Sequence, residues 1–416
     1  MRLLARLTTA ALIAAAPALA GAAAADVPEP VRAPLLVSGA AVPGKFIVSL
    51  EEGVDAGGLA ERLGLEPTFV YGSAMNGFAV PLTPQQLDDV RTTPGVRSVE
   101  ADAEVSAPPT PAGPAALSAG LPAPTWGLDR IDQRTLPLDG DFTTAGDGAG
   151  VTAYILDTGI DYDHAEFEGR AEPGFDAVGD GGDGRDCEGH GTHVAGTVGG
   201  RTHGVARAAR LVSVRVLGCD GRGEYSAVVA GLDWVAQNAR QPAVLNVSLG
   251  GSRSDAVNRA ATAVAESGTL PVIAAGNSAA DACTVSPASA DRVMTVAASN
   301  RADEQSGFSN RGECVEIHAP GEQIDSAMLG GGSVALDGTS MAAPHVTGTA
   351  ALYKAAHPAA TPEEVAGWLV EKSTKDLLTG TGPMLRIGSL LRLAIARTGP
   401  RRARPPGGRR YFADTP

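Results

Sequence analysis

The sequence predicts an α/β protein whose main domain is a doubly wound, mostly parallel sheet with helices on both faces, preceded by a small α+β domain. Between residues 126 and 391, continuous apolar runs typical of buried parallel strands alternate with segments of helical periodicity. The composition agrees, because 53 glycines and 29 prolines with only 4% aromatic residues indicate many tight turns between elements packed through small side chains. A chain of 416 residues with 44% hydrophobic content can also fill more than one core.

The amino terminus has the pattern of a signal peptide. Residues 1–25 carry Arg2 and Arg6, then a largely apolar stretch, then alanine-rich cleavage options. No later segment shows 18 uninterrupted apolar residues, so we expect no membrane contact in the mature form. We therefore expect a secreted, extracellular protein in which disulfides can form.

A small domain is predicted over residues 42–106, with a generic α+β binding module as the plainer interpretation. Its strand patterns cover residues 44–50, 77–80 and 96–105, and its helical patterns cover 57–63 and 84–91. The segment 107–124 that follows contains six prolines and is predicted to be an extended linker open to proteolysis.

The large domain is predicted over residues 125–398. Its apolar strand runs cover residues 151–156, 211–217, 243–249, 270–275 and 293–298, and its helical patterns cover 192–199, 226–239, 255–266, 340–356 and 362–372. Residues 377–393 are apolar and are expected to pack as a final strand or helix. The basic tail 399–416 is predicted to be disordered, with membrane-surface or partner contact as the alternative.

Three polar residues stand where exposed catalytic groups are expected. Asp157 ends a strand run, His190 begins a helical segment, and Ser340 lies between a glycine turn and a small-residue helix. A serine hydroxyl becomes nucleophilic when a base takes its proton and a third group orients that base. Taken singly, Ser340 could be a helix cap, Asp157 an Asx turn, and His190 with His193 half of a zinc site. No HExxH motif or Cys pair completes the zinc site.

The order Asp157, His190, Ser340, within the segments DTG, GHGTH and GTSMAAP, resembles the subtilisin-like serine proteases of the proteinase K/aqualysin group. A fourth segment, VIAAGN, matches the family motif in which the amide of Asn277 helps to bind the oxyanion. The resemblance implies a serine endopeptidase acting on proteins and peptides through an acyl-enzyme. Ser340 would be the nucleophile, His190 the base and Asp157 its partner, with His193 structural.

The resemblance also implies where a peptide substrate binds. The family edge that pairs with an extended peptide matches Ser248, Leu249 and Gly250, and the wall of the primary specificity pocket matches Ala274, Ala275 and Gly276. Backbone pairing tolerates many sequences. Small pocket residues leave room for large apolar side chains, so we expect broad specificity that favours large apolar residues before the cut.

The position of the small domain, between a signal peptide and the protease, resembles that of an inhibitor-type propeptide. The chain would then be a zymogen inhibited by its own residues 42–106. Its maturation site would lie in the linker 107–124, and Ser340 would cut it.

Calcium is the cofactor that the resemblance implies, in a structural role. The segment 126–141 resembles an N-terminal calcium loop of the proteinase K group, with implied ligands Asp129, Asp132, Gln133, Asp139 and Asp141. Such hard oxygen ligands suit calcium, and a solvated acidic turn is the alternative. A second implied set is the carbonyls of Asp291 and Val293 with Glu316, where the family pattern has Asp. The acidic loop with Asp180, Asp183 and Asp186 has no clean spacing match, and binding there is left open.

The four cysteines permit three pairings. The resemblance implies Cys187 with Cys219 and Cys283 with Cys314.

Other functional classes are disfavoured. A formal net charge of −14 argues against nucleic-acid binding, which depends on neutralising phosphates. We also expect the protein to be a monomer. A catalytically silent peptide-binding module of the same fold would need a broken triad, and none is broken. A serine hydrolase of another class would need a GxSxG elbow, which Ser340 lacks.

Overall fold

The computed structural model describes residues 32–107 and 125–378. Four predicted segments lie wholly or mostly outside the described residues: the signal peptide 1–25, the linker 107–124 except Ala107, most of the final segment 377–393 and the tail 399–416.

The small domain is an α+β unit. In chain order it contains β1 (Leu35–Leu36), β2 (Ala41–Leu50), α1 (Ala56–Arg62), β3 (Phe69–Tyr71), β4 (Gly77–Pro81), α2 (Pro84–Thr92) and β5 (Val96–Ser106). The strands are ordered β1-β5-β2-β4-β3, and only the β1–β5 pair is parallel. Val48, Phe78 and Val99 are fully buried in the core that this sheet shares with its helices.

The large domain alternates strands and helices. It contains α3 (Trp126–Asp132), β6 (Thr152–Asp157), β7 (Ala171–Asp176), α4 (His190–Gly199), β8 (Arg210–Arg215), β9 (Arg222–Glu224), α5 (Tyr225–Asn238), β10 (Ala243–Val247), β11 (Gly251–Ser252), α6 (Asp255–Glu266), β12 (Leu270–Ala274), a 3₁₀ helix (Ala282–Thr284), β13 (Val285–Ser286), β14 (Met294–Ser299), β15 (Ile317–Pro320), β16 (Ile324–Ala327), β17 (Ser333–Leu336), α7 (Thr339–Ala356) and α8 (Pro362–Lys372). Seven of these strands form one sheet, ordered β15-β14-β12-β10-β6-β8-β7, and every pair in it is parallel.

Both faces of this sheet are covered, which confirms the predicted doubly wound architecture. Along β6, Ala153 and Ile155 belong to a core shared with α4, α7 and α8, whereas Tyr154 and Leu156 belong to a core shared with α5 and α6. Successive side chains of a strand point to opposite faces, so a strand buried on both sides is apolar throughout. This burial is the physical reason for the continuous apolar runs in the sequence.

The two edge strands of the large sheet were not predicted. Pro173 and Gly174 interrupt β7, where the register with β8 shifts, and Pro320 ends β15. Proline lacks the N–H that a central strand needs but is tolerated at a sheet edge. Helix α3 was also missed, because its seven residues are too few to show a helical period.

The small domain packs against α5 and α6. Ile47, Ala79 and Val105 contribute to the same core as those helices. The Asp233 carboxylate of α5 accepts hydrogen bonds from the backbone N–H groups of Gly72, Ser73 and Ala74, and the Ser73 and Ala74 bonds are 2.7 and 2.6 Å long. In the part of the chain that the structure describes, no helix is both long and apolar enough to cross a membrane.

Candidate active site

Asp157 and His190 form a close, buried pair. Nδ1 of His190 lies 2.7 Å from Oδ1 of Asp157, and the two side chains are 1% and 0% exposed. Asp157 is the last residue of β6 and His190 the first of α4. The pair therefore lies at the carboxyl edge of the sheet, where open parallel sheets place their functional groups.

The Asp157 carboxylate shapes the protonation of His190. Burial by itself would lower the pKa of the imidazole, because it penalises the charged form. The charge of Asp157 and its hydrogen bond outweigh this effect, so the pKa of His190 is raised above its ordinary value. A raised pKa suits a group that must accept a proton during a reaction and then release it.

Ser340 is the second residue of α7 and is 2% exposed. Its hydroxyl donates to the backbone carbonyl of Ser248 at 3.0 Å, and the Ser248 hydroxyl donates to the carbonyl of Ser340 at 3.0 Å. Nε2 of His190 has no hydrogen-bond partner among the described residues. The Ser340 hydroxyl would have to turn away from Ser248 to reach this nitrogen, and such contacts often tighten only when substrate is bound.

Asn277 is oriented by Thr339. Its Oδ1 accepts from the backbone N–H of Thr339 and from the Thr339 hydroxyl, both at 2.9 Å. The same hydroxyl accepts from the N–H of Gly276 at 3.0 Å. Both bonds occupy Oδ1, so Nδ2 of Asn277 stays available to donate, and Asn277 and Ser340 line the same cleft.

Four of the six residues matched to the substrate edge and pocket line that cleft, which has a volume of about 540 Å³. They are Leu249, Gly250, Ala274 and Gly276. Ser248 and Ala275 are 0% exposed and lie behind it. Ser248 supports Ser340 from there, and Ala275 packs with Ala282 and Ala297.

The end of the small domain occupies the same cleft. Ser106, at the end of β5, pairs antiparallel with Arg222 of β9 on one side and with Gly250 on the other. The N–H of Ala107 donates to the carbonyl of Gly221 at 3.0 Å. This extended segment adds a strand between two edges, which is the geometry of β-strand recognition of a peptide.

His193 does not take part in this constellation. Its Nε2 is 3.0 Å from the carbonyl oxygens of Ile324 and Val334, and burial lowers its pKa to about 3. A neutral imidazole that bonds to backbone carbonyls is a structural group, and His190 is bonded to Asp157, so the pair does not form half of a zinc site.

The loop matched to a calcium site has features that fit a cation. Oδ1 of Asp132 is buried and has no hydrogen-bond partner in the described ranges. The pKa of Asp132 is raised to about 6, first by burial and then by the charges of Asp139, Asp129 and Asp141. The side-chain carbonyl of Gln133 faces the same loop, since it accepts from the N–H of Asp139. Repelling carboxylates with an unsatisfied buried oxygen are the donor set that a hard cation relieves.

The second matched calcium set fits less well. The Asp291 carbonyl accepts from the hydroxyl of Thr262 at 3.0 Å, and Oε2 of Glu316 accepts from the N–H of Thr295 at 2.6 Å. Burial raises the pKa of Glu316 to about 7. In contrast to the loop with Asp132, the set of Asp291, Val293 and Glu316 has no buried side-chain oxygen left without a hydrogen-bond partner.

The acidic loop before α4 is not arranged for calcium. The Asp180 carboxylate pairs with Arg215 through two hydrogen bonds of 2.7 and 2.8 Å. In residues 32–107 and 125–378, one group of three potential metal-ligand atoms from His, Cys, Asp or Glu lies within 4.8 Å of one another. It belongs to Asp180, Cys187 and Cys219. Its two cysteines are joined to each other, so they are not metal ligands.

The disulfides are Cys187–Cys219 and Cys283–Cys314, the pairs that the resemblance implied. The described residues contain no free cysteine.

Sequence reasoning missed two residues that support the site, Asn246 and Thr339. Nδ2 of Asn246 donates to the Ser248 hydroxyl at 2.8 Å, while its Oδ1 accepts from Thr347. The available signal was the i, i+2 spacing of Asn246 and Ser248 at the end of an apolar strand, since both point to the same buried face. Thr339 had a weaker signal, its place directly before Ser340.

The comparisons with known proteins agree on one family. A model described as the subtilase family matches residues 148–389, and one described as peptidase inhibitor I9 matches residues 62–108. An extracellular serine proteinase of Thermus sp. (strain Rt41A) is 45% identical over 369 residues, which cover 82% of this chain and 88% of that protein. The alkaline serine exoprotease A of Vibrio alginolyticus is 46% identical over 312 residues, 75% of this chain, and the chain spans 58% of its length. The crystal structure of a cold-adapted subtilisin-like serine proteinase matches with a TM-score of 0.63 at 48% identity, covering 64% of this chain and 98% of that chain.

Proposed function

The chain belongs to the subtilase family and is a subtilisin-like serine protease with an inhibitor I9 domain, and from this premise we propose that Asp157, His190 and Ser340 form its catalytic triad. The observation that carries the proposal is the buried 2.7 Å contact between His190 and Asp157 beside a cleft lined by Ser340 and Asn277.

The proposed reaction is hydrolysis of a peptide bond in two stages. The Ser340 oxygen attacks the carbonyl carbon while Nε2 of His190 accepts the hydroxyl proton, and that proton then passes to the leaving amine. Water hydrolyses the resulting acyl-enzyme by the same route. Asp157 holds Nδ1 protonated and stabilises the imidazolium. Nδ2 of Asn277 and the backbone N–H of Ser340 donate to the oxyanion, and one such donor contributes roughly 3 kcal/mol to lowering the barrier.

We propose broad endopeptidase specificity with a preference for large apolar residues before the cut. The support is the pairing of Ser106 with both β9 and Gly250, which uses backbone groups and is therefore tolerant of sequence. Ala274 and Gly276 leave space for a large side chain in the cleft. Hydrolysis rates on peptides that differ only in the residue before the cut test this preference.

Calcium is the cofactor that we propose for the loop of Asp129, Asp132, Gln133, Asp139 and Asp141. When bound, it would supply positive charge that relieves the repulsion between the carboxylates, in a structural and not a chemical role. No three of these carboxylates lie within 4.8 Å of one another, so binding would draw them together. We do not extend the proposal to Asp291, Val293 and Glu316, because that set has no buried side-chain oxygen without a hydrogen-bond partner, as the first loop has in Oδ1 of Asp132.

We propose that the chain is an extracellular zymogen in which residues 42–106 inhibit the protease until Ser340 cuts the linker. The support is the I9 match, the extracellular relative and the strand that fills the cleft. In the sequence, Pro108 and Pro109 follow Ala107 directly. A bond that leads into proline is a poor substrate, since its nitrogen carries a ring carbon in place of hydrogen. We therefore expect the mature chain to begin after Pro109.

The experiment is expression of wild type and Ser340→Ala in a host without other exported proteases, followed by sequencing of the amino termini. Wild type should mature, and Ser340→Ala should stay whole, since loss of a triad member costs on the order of a millionfold in turnover. Ser267→Ala, at the end of α6, is the control for a lost hydroxyl. Equal cutting of wild type and Ser340→Ala at one position would refute self-maturation. Equal cleavage of an added unfolded protein by the two purified forms would refute the triad.

A further inference from the structure

Asp186 lies on the loop before α4 and is 8% exposed. Its carboxylate accepts five hydrogen bonds. Oδ1 accepts from the Thr158 hydroxyl and from the N–H groups of Glu188 and Gly189, each at 2.9 Å. Oδ2 accepts from the N–H of Thr192 at 2.9 Å and from its hydroxyl at 2.6 Å. Five hydrogen bonds from three directions of the chain fix the orientation of this carboxylate.

These donors belong to the two segments that carry Asp157 and His190. Thr158 directly follows Asp157, and its N–H donates to Oδ1 of Asp157 at 2.8 Å. Gly189 and Thr192 flank His190 at the start of the ten-residue helix α4. The N-cap residue of this helix is Gly189, which has no side chain to satisfy the free N–H groups there. Asp186 takes the place of a capping side chain from outside the helix.

A second link closes the arrangement. The Thr158 hydroxyl donates to Asp186 and also accepts from the N–H of Gly191 at 2.9 Å. The two segments touch at glycines, because a Cβ on Gly191 would lie 2.2 Å from the carbonyl oxygen of Gly159. Hydrogen bonds and close packing thus fix the end of β6 against the start of α4.

We propose that Asp186 is a positioning residue for peptide-bond hydrolysis. Its carboxylate holds Thr158 and the first turn of α4 in place, so that His190 meets Asp157, and it adds negative charge near the imidazole. This rests on the proposed function, since it assigns His190 as the base. A misplacement of about 1 Å in such a site can cost about a hundredfold in rate.

The charged groups around His190 act in the same direction, with one exception. Asp157, Glu188 and Asp186 each raise the pKa of His190, after the opposing effect of burial. The exception is His193, one turn along α4, which would lower the pKa of His190 if it carried a proton. Its own pKa of about 3 keeps it neutral. Loss of the Asp186 charge should therefore lower the pKa of His190.

The loop has anchors that do not depend on Asp186. Cys187, its neighbour, is bonded to Cys219, and Nη2 of Arg215 lies 3.2 Å from the Cys187 sulfur. Arg215 also holds Asp180 on the same loop. The backbone should therefore keep its course when the Asp186 side chain is changed.

The test compares Asp186→Asn with Asp183→Asn, which removes one charge from an exposed position on the same loop. Asparagine offers one acceptor oxygen where five donors converge, so kcat should fall 10- to 100-fold with KM changed less than about twofold. The acid limb of kcat/KM against pH should move to lower pH. Asp183→Asn should match wild type in both. The pKa of His190, measured by NMR titration, should be lower in Asp186→Asn than in wild type and unchanged in Asp183→Asn.

Thr158→Val removes only the hydroxyl link and keeps the test decisive if Asp186→Asn does not fold. It should lower kcat about 3- to 10-fold, and Thr158→Ser should restore it. A wild-type kcat and acid limb in folded Asp186→Asn, or in Thr158→Val, would overturn the inference. So would a loss that follows only the unfolded fraction and leaves the pH profile unmoved. If wild type and Ser340→Ala cleave substrate equally, the proposed function itself fails, whatever Asp186 does.

Discussion

Oδ1 of Asp157 lies 2.7 Å from Nδ1 of His190, and both atoms are shielded from water. In a site with little screening, the charge on one group strongly changes the protonation of the other. The strength of this coupling makes it measurable in the pH dependence of the enzyme.

Asp157→Asn should lower kcat by about 10⁴-fold, because the amide no longer holds the imidazole in the required tautomer. Asp157 raises the pKa of His190, and the base must be neutral, so wild-type activity is lost as pH falls through this raised pKa. The variant's acid limb of kcat/KM should therefore lie at lower pH. Asp163→Asn, whose side chain is 82% exposed, is the control and should match wild type. An acid limb that stays in place would contradict the coupling.

Thr339→Val should lower kcat about tenfold with little change in KM. The variant loses the hydroxyl that donates to Oδ1 of Asn277, so the Asn277 amide is no longer held toward the cleft. Thr339→Ser keeps the hydroxyl and should retain most of the activity. Steady-state kinetics of both variants on one peptide decide the point, and equal rates for Val and Ser would show that the hydroxyl does not position Asn277.

We expect Asp132→Asn to be more stable than wild type without calcium and less stable than wild type with calcium. The pKa of Asp132 rises from 3.8 to about 6 on folding, so its stabilising contribution is present below pH 3.8 and is lost as pH rises toward 6. At pH 7 in chelator, the variant should be more stable than wild type by about 1 kcal/mol, since solvent screens this half-buried group. With calcium at a hundredfold excess over Kd, wild type should gain about 2.7 kcal/mol that the variant largely lacks.

Thermal melts of mature Asp132→Asn and wild type, each with and without chelator, measure this crossing. Glu304→Gln, on an exposed turn, controls for the lost charge. A variant that responds to calcium as wild type does would show that this loop is not the main site.

Asp233→Ala should weaken inhibition by the small domain and leave the mature protease unchanged. The Asp233 carboxylate accepts from three successive N–H groups at residues 72–74, and charged hydrogen bonds contribute about 1.5–3 kcal/mol each when buried. These bonds are partly exposed, so we expect about a 5- to 30-fold rise in the inhibition constant. Inhibition of each mature variant by the purified small domain measures it. Gln237→Ala, exposed on the same helix, should not change the constant.

Most of the fold could be predicted because its signals are local. Helices α6 and α8 begin and end where the sequence pattern placed them, at residues 255–266 and 362–372. Thr361 and Glu364 form a capping box at the start of α8, a signal that is readable from the sequence. Strand β15 could not be predicted in this way, because its proline argues against a strand. Only the folded sheet shows that β15 lies at the edge beside β14, where proline is tolerated.

Taken alone, the sequence determined the five central strands of the large sheet and the longer helices, the polar residues at strand and helix ends and the identity of the triad candidates, since each depends on neighbours within a few positions. Only the tertiary structure decided which groups meet. It set Asp186 against Thr158 across 28 residues, and it put Ala274 on the cleft but Ala275 behind it. It also brought Asp233 to the N–H groups of residues 72–74 in the other domain. Such contacts depend on how the elements pack, and packing distances leave no periodic trace in the order of residues.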